Sequence, residues 1–196
     1  MARPAYSDDQ VVSIQREIRE VAIGVFRQEG IGGLTLRAIA RKMGWSAAAL
    51  YRYYASKDDL LSAIRAEGFA RMGSALEEAR CSESDSRNAA RAAVRAYLGF
   101  ALEEPESFRL MYELNQGDAQ PVPTVRAERE RAFSQARAIA EEAIEAGWLE
   151  GDANLAAHLL WVGCHGLATL AMADQLDLGC SYDDLVEPLL ARFISD

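Results

Sequence analysis

Groups that can bind nucleic acid are concentrated between residues 35 and 57 of the chain. Arg37, Arg52 and Lys57 supply cations there, and Tyr51 and Tyr53 supply hydroxyl groups. Guanidinium groups form paired hydrogen bonds with guanine edges, whereas ammonium and hydroxyl groups reach phosphate oxygens. Core packing is the alternative for the tyrosines, and solvated surface charge is the alternative for the cations. The predicted contact set is Thr35, Arg37, Ser46, Ala47, Ala48, Tyr51, Arg52, Tyr53 and Lys57.

A second set of residues, further along the chain, suits the wall of an apolar cavity. Most are aromatic and few are polar, which is the composition of sites that bind small organic ligands. The set comprises Tyr97, Phe108, Met111, Tyr112, Phe133, Trp161, His165 and Thr169. A cavity of this kind predicts a hydrophobic or aromatic effector. Ordinary core packing is the alternative for most of the set, and a hydrogen-bonded buried imidazole is the alternative for His165.

Helical periodicity explains how the first set is positioned. Apolar residues between 14 and 25 recur at the spacing of one helix face, and Gly30 ends that helix. A second short helix opens at Thr35, and after a turn at Gly44 a third opens at Ser46 and ends in the aromatic run 51–54. Two short helices joined across a glycine turn are the layout of a helix-turn-helix, whose second helix enters the DNA major groove.

The third helix of this segment is predicted to have two different faces. Leu50 and Tyr54 lie four residues apart, so both point into the small core. The opposite, groove-facing side then presents Ala47, Ala48, Tyr51 and Arg52.

Several short motifs between residues 34 and 61 together carry a family resemblance. They are Leu34-Thr35-Leu36-Arg37, Ile39-Ala40, Gly44-Trp45-Ser46, Leu50-Tyr51, Tyr53-Tyr54, Ser56-Lys57 and Leu60-Leu61. This pattern resembles the DNA-binding domain of TetR/AcrR-type transcriptional repressors. The resemblance implies an all-helical homodimer that binds a palindromic double-stranded DNA operator. It also implies that a small molecule bound by the C-terminal domain releases the DNA.

The chain departs from that family pattern at the start of the third helix. Trp45 stands where the family commonly has Val, and alanines occupy positions 47–49, where Lys, Gly and Thr are frequent. The loss of Lys and Thr removes polar base contacts, while alanine still allows contact with thymine methyl groups. We therefore expect base reading to depend on Arg37, Tyr51 and Arg52.

A further resemblance lies near the C-terminus. Trp161, His165 and Gly166 are similar to the Trp-His-Gly signature of one class of C-terminal domain in the same family.

The charge of the chain is unevenly distributed. The net charge of the whole chain is −9, which argues against indiscriminate binding to nucleic acid. Residues 1–57 nevertheless contain nine Lys and Arg against five Asp and Glu, a net of +4, and the remainder carries −13. A basic segment attached to an acidic body can bind DNA phosphates without indiscriminate binding along the whole DNA.

The predicted fold is all-α with two domains. Residues 1–57 form a three-helix DNA-binding head, and residues 58–196 form a larger helical domain for ligand binding and dimerisation. No strand pattern competes with the helical one. We expect no membrane-spanning segment and no signal peptide. Cys81, Cys164 and Cys180 form no close pair and no metal-ligand motif, so we expect no metal or cofactor and a reduced, cytoplasmic setting.

Enzymatic function is not expected. Cys164 and His165 are adjacent on a predicted helix and point about 100° apart, so they cannot form a nucleophile–base pair. No phosphate-binding loop or dinucleotide motif is present. The alternative to a ligand-responsive repressor is a DNA-binding regulator that senses redox state through a cysteine.

Dimerisation is predicted to involve the helices near residues 153–172 and 182–194. The first of these carries a stripe of Leu159, Gly163, Gly166 and Leu170. A glycine inside a helix costs about 1 kcal/mol relative to alanine, so close approach of a neighbouring backbone is the expected compensation. That neighbour is either in the same protomer or in a second subunit. The helix that begins near Ser56 joins the two domains, so we expect it to carry the effector signal with the segment 105–112.

Overall fold

The computed structural model describes residues 7–112 and 122–194, and these residues form nine α-helices without a β-strand. The helices are α1 (Asp8–Gly33), α2 (Leu36–Lys42), α3 (Ala47–Leu50), α4 (Lys57–Cys81), α5 (Ser86–Glu103), α6 (Pro105–Tyr112), α7 (Pro123–Glu145), α8 (Ala153–Met172) and α9 (Tyr182–Phe193). The predicted all-α fold is confirmed. The chain divides into an N-terminal unit, Met1–Arg65, and a C-terminal unit, Ala66–Asp196, and the division falls inside α4. The predicted domain boundary at residues 57 and 58 lies at the start of the same helix.

Local capping chemistry sets the helix boundaries of the N-terminal unit. Ser7 forms a capping box with Gln10 at the start of α1. The side chain of Thr35 accepts a hydrogen bond from the Ala38 N–H at the start of α2, over 3.1 Å. Gly30, with a φ angle of 65°, kinks α1 three residues before its end, and Gly44, with a φ angle of 68°, lets the chain leave α2 with little steric cost. The predicted cap at Thr35 and turn at Gly44 are therefore confirmed, whereas the predicted helix end at Gly30 is a kink, and α1 continues to Gly33.

The core of the N-terminal unit is built from apolar side chains of α1, α2 and α3 and the start of α4. Tyr54 is buried, and its hydroxyl accepts a hydrogen bond from Arg19 Nη1 at 2.9 Å and donates one to the Gln15 carbonyl at 3.3 Å. These bonds attach the chain after α3 to α1. The fully buried residues include Ile18, Ala22, Leu34, Ile39, Leu50 and Leu60.

The third helix is shorter than predicted. α3 ends at Leu50, and the aromatic run follows it as a turn. The Tyr53 N–H bonds to the Leu50 carbonyl at 2.9 Å, a three-residue spacing that tightens the chain beyond an α-helix. Because Tyr54 is anchored to α1, the run closes back onto the core instead of continuing along the helix axis.

α8 is the central helix of the C-terminal unit and packs against α5, α7 and α9. A Cβ atom at Gly163 would lie 3.0 Å from Leu189 Cδ1, so α8 and α9 approach closely at this glycine. The expected close approach is thus found within the protomer at Gly163. At Gly166, an added Cβ would meet no atom within 4 Å, so this second glycine faces open space.

The outer face of α8 is apolar and exposed. Leu155, Leu159, Val162 and Leu170 are 60%, 53%, 66% and 46% exposed. We call these four residues, with Gly166, the α8 strip.

By length and composition α8 could also cross a membrane, contrary to the expectation that no segment would be apolar enough. This is weak evidence, since core helices of soluble proteins satisfy the same criteria.

Candidate functional site

The N-terminal unit presents the predicted contact residues on one side of α3 and the following turn. Leu50 is fully buried and Tyr54 nearly so, whereas Tyr51 is 53% exposed and Arg52 is also exposed. Ala48 is exposed and Ala47 is partly exposed. The burial pattern therefore has the two faces that the sequence predicts.

Four residues of the predicted contact set have partners inside the N-terminal unit. Thr35 and Ser46 accept hydrogen bonds from backbone N–H groups and cap α2 and α3. Tyr53 is half-buried, and its ring centroid lies 6.0 Å from that of Trp45. Lys57 Nζ donates a hydrogen bond to the Ile31 carbonyl at 2.7 Å, which ties the start of α4 to the chain after the Gly30 break.

The two arginines of the contact set are the cations best placed to bind an external anion. Arg37 and Arg52 are both exposed, and neither guanidinium group forms a hydrogen bond or ion pair with another residue in the described part of the chain. A guanidinium group without an internal partner is available for base edges or phosphates.

The C-terminal unit contains a cavity of about 660 Å³, which lies within the range typical of small-molecule sites. Helices α4, α5, α6, α7 and α8 contribute to its wall. Its apolar and aromatic lining comprises Phe69, Met72, Leu76, Ala93, Val94, Tyr97, Tyr112, Ala132, Phe133, Ala136, Ile139, Leu160, Trp161 and Cys164. The polar and charged lining comprises Arg129, Glu130, Ser134, Arg137, Asn154 and His158.

A hydrogen-bonded cluster centred on Tyr97 forms part of this wall. The Tyr97 hydroxyl accepts a hydrogen bond from Trp161 Nε1 at 3.2 Å and lies 3.0 Å from His165 Nδ1. Burial lowers the pKa of His165, so the neutral imidazole is favoured and its Nδ1 can accept the Tyr97 proton. Burial also raises the pKa of Tyr97 well above its ordinary value and that of Tyr112 to about 12. Both phenols are therefore protonated at neutral pH.

The predicted ligand-binding set divides into two groups. Tyr97, Tyr112, Phe133 and Trp161 line the cavity. The other four residues, Phe108, Met111, His165 and Thr169, are not part of the lining.

Packing explains the second group. Phe108 is buried with its ring 5.3 Å from that of His165, and Met111 packs against Gly68 of α4. His165 contacts the lining residues Tyr97 and Tyr112 without lining the cavity itself. Thr169 is exposed, and its hydroxyl donates to the His165 carbonyl at 2.7 Å.

The charged part of the lining was not predicted. Arg129, Glu130 and Arg137 belong to α7 and follow the sequence pattern of an ordinary solvated face. Their spacing in the sequence could nevertheless have indicated this position. Arg129 lies four residues and Glu130 three residues before Phe133, and Arg137 lies four residues after it. Residues at these spacings share a helix face, so a prediction that Phe133 lines a cavity implies the same for its charged neighbours.

Cys164 lines the cavity but is not an activated thiol. Burial raises its pKa to about 12, so it remains protonated at neutral pH. Since the thiolate is the reactive form, this environment argues against redox sensing by Cys164. Cys81 and Cys180 are exposed free thiols.

α6 connects the cavity wall to the part of α4 that lies in the C-terminal unit. A Cβ atom at Gly68 would lie 2.6 Å from Met111 Sδ, so the two helices are in close contact. Arg71 of α4 forms a 2.6 Å ion pair with Glu104, the residue before α6. Tyr112, at the end of α6, lines the cavity. A ligand that displaces Tyr112 therefore acts on a helix already packed against α4.

Family comparisons agree with both units. The family described as bacterial regulatory proteins of the tetR family matches residues 18–64. A second family, described as the tetracyclin repressor-like C-terminal domain, matches residues 90–193. Together the two matches cover α2 and α3 and most of the cavity wall.

Individual relatives agree with the family matches. The HTH-type transcriptional regulator Rv1816 of Mycobacterium tuberculosis is 31% identical over 147 residues, which cover 72% of this chain and 60% of the relative. A structure from Rhodococcus sp. RHA1, described as a protein with unknown function, is 31% identical with a TM-score of 0.83, covering 98% of this chain and 97% of that one. The TetR family regulator PfmR from Thermus thermophilus shares the fold at 23% identity, with a TM-score of 0.72 and coverage of 90% and 96%.

Proposed function

The chain belongs to the TetR family of bacterial transcriptional regulators, and on this premise we propose that it is a ligand-responsive repressor. It is a DNA-binding regulator and not an enzyme. In the proposal a homodimer binds a palindromic operator in the cytoplasm. A small hydrophobic or aromatic effector enters the cavity and releases the DNA.

The observation that carries the proposal is a cavity of about 660 Å³ in the unit that does not contain the helix-turn-helix. DNA binding by the N-terminal unit does not require a cavity of this size, lined by five helices, in the C-terminal unit. Its walls are mostly apolar and aromatic, and its polar groups lie around Tyr97, on one face of α7 and near the start of α8. This is the composition of a site for an organic ligand.

Coupling between cavity and DNA is proposed to pass through α6 and α4. Tyr112 lines the cavity, and Met111 beside it packs against Gly68 of α4. α4 continues along the chain from this contact into the N-terminal unit. A ligand can shift the DNA-binding equilibrium only by its difference in affinity for the two forms, and the effect is reciprocal. Operator DNA should therefore weaken effector binding by the same factor.

The homodimer is proposed to form through the α8 strip. Exposed leucine and valine side chains on one helix face form a contiguous apolar surface, and Gly166 leaves room for close approach of a second backbone. A surface of this kind on a soluble protein is typical of an interface. Two copies related by a two-fold axis would present their α3 helices to successive major grooves.

The test begins with selection of operator DNA from fragmented genomic DNA by the purified 196-residue chain. We expect a palindromic site that binds two protomers, with an affinity that falls steeply as salt rises. Binding that shows no preference over random DNA would contradict the proposal.

The coupling is then measured with any compound that releases the operator. Tyr112→Ala should reduce release by the compound and leave the affinity for operator in its absence nearly unchanged. Thr169→Ala is the matched control, because Thr169 is exposed and lies outside the cavity. Calorimetry of the compound with and without operator should give different affinities, and equal affinities would mean that the two sites are not coupled.

A further inference from the structure

We propose that the cavity selects organic monoanions and that Arg129 is the residue that binds their carboxylate. The inference rests on the proposed function, because it specifies the class of effector that the same cavity takes. The aromatic walls would hold an aromatic or alkyl body, and the guanidinium group would hold the charged end.

The charges around the cavity are not equivalent. Glu130 accepts a 2.7 Å hydrogen bond from Arg126 Nε, one turn earlier on α7. Arg137 is paired with Glu141 at 3.4 Å, one turn later. Each of these lining charges is therefore neutralised by a neighbour on its own helix. The Arg129 side chain has no ion pair or hydrogen bond with any residue in the ranges 7–112 and 122–194.

The position of Arg129 supports a role toward the cavity interior. It belongs to the exposed part of the lining, on the same face of α7 as Phe133. Burial raises the pKa of the Tyr112 phenol, and the positive charge of Arg129 lowers that pKa by a smaller amount. The positive charge of Arg129 therefore acts on at least one side chain of the cavity wall.

The rest of the cavity explains why the anion would be organic. Phe133 contacts His158 and Trp161 at ring distances of 4.4 and 5.9 Å, and Phe69 meets the edge of Tyr112 at 5.4 Å. These rings offer apolar area but little that could solvate a small inorganic ion. An inorganic anion would gain only the polar contacts of the lining, whereas an organic acid would use both the Arg129 cation and the rings.

The test compares acids with alcohols of nearly the same shape. Calorimetry at neutral pH with the 196-residue chain compares 2-naphthoate with 2-naphthalenemethanol, and decanoate with 1-decanol. We expect at least one acid to bind about tenfold or more tightly than its alcohol, since a hydrogen bond to a charged group contributes on the order of ten- to a hundredfold in affinity.

Substitutions test whether Arg129 causes the preference for acids over alcohols. Arg129→Gln should remove most of the advantage of the acid and leave the binding of the alcohol unchanged, while Arg129→Lys should retain part of it. Arg131→Gln is the matched control, because it removes the same charge from α7 at a residue that does not line the cavity. Failure of both acids to bind, alcohols that bind as tightly as their acids, or an Arg129→Gln protein that keeps the preference would each overturn the inference.

The outcome is separable from that of the proposed function. Calorimetry without DNA tests the ligand class, and operator affinity with and without the acid tests regulation. If the acid binds through Arg129 but leaves operator affinity unchanged, the ligand class stands and the repressor mechanism fails. If a neutral compound releases the operator while both acids are inactive, the mechanism stands and the ligand class fails.

Discussion

Replacement of Tyr97 by phenylalanine tests whether the hydrogen-bonded cluster holds the cavity wall together. The change removes only the hydroxyl, so the ring keeps its contact with Phe108 at 5.7 Å. Two polar groups lose a partner, namely the Trp161 Nε1–H at 3.2 Å and His165 Nδ1 at 3.0 Å. Tyr97 is 6% exposed, so little water reaches the vacated position directly.

The expected cost can be worked out from those two groups. A buried polar group left without a partner costs about 1–3 kcal/mol. Trp161 and His165 are only half-buried, so part of this cost is recovered by hydrogen bonding to water. We therefore expect a total destabilisation of about 2 kcal/mol, which for a chain of this size lowers Tm by roughly 4–8 °C.

The measurement is calorimetric unfolding at one fixed protein concentration, since association of protomers would make Tm depend on concentration. Tyr182→Phe is the matched control, because Tyr182 is half-buried and its hydroxyl makes no hydrogen bond with the described residues. The control should differ from the unmodified chain by less than about 0.5 kcal/mol. If Tyr97→Phe unfolded at the same temperature as the control, the cluster would not contribute to stability and the reasoning would be refuted.

Three further predictions concern pH, assembly and DNA. Burial lowers the pKa of His165 below 6.5, so the stability that the neutral imidazole contributes is complete above about pH 6.5 and is lost as the pH falls through the lowered folded value. His165→Gln should therefore reduce the loss of unfolding free energy between about pH 7.5 and 5.5. The unfolding free energy is measured by urea titration at each pH, and an unchanged pH dependence in the variant would contradict this. Leu159→Arg should abolish the proposed dimer, as measured by light scattering at micromolar concentration, whereas Leu178→Arg, in the exposed chain between α8 and α9, should leave it intact. Arg52→Ala should weaken operator binding by about 1–3 kcal/mol, while Arg95→Ala in the C-terminal unit should not, and equal affinities of the two variants would exclude Arg52 from reading DNA.

The helix boundaries of the N-terminal unit could be predicted because they depend on neighbours within three or four residues. Ser7, Thr35 and Ser46 cap helices through their own side chains, and Gly44 ends α2 by its own backbone conformation. No distant part of the chain is needed for these interactions. The length of α3 was mispredicted because Tyr54 is anchored to α1, and that contact spans more than thirty residues of sequence.

The lining of the cavity was harder to predict because it depends on which side of each helix meets its neighbours. Tyr112 and Met111 are adjacent, yet Tyr112 lines the cavity and Met111 fills the space left by Gly68. Composition alone identifies both as apolar. Only the packing of α6 against α4 separates them, and that packing is set by residues far apart in sequence. Arg129 was missed for the related reason that a solvated charge and a lining charge look alike on an exposed helix.

The positions of the three tryptophans make them useful as intrinsic fluorescence probes. Of the three, Trp161 forms part of the cavity wall, and Trp45 lies beside Tyr53 in the turn region of the N-terminal unit. Trp148 is engaged elsewhere through a 2.9 Å hydrogen bond to Ser86. With Trp148 and one other replaced by phenylalanine, the remaining indole would report on either the cavity or the α3 region by its emission. Each of the two steps of the proposed regulation could then be followed in its own single-tryptophan variant, without an attached dye.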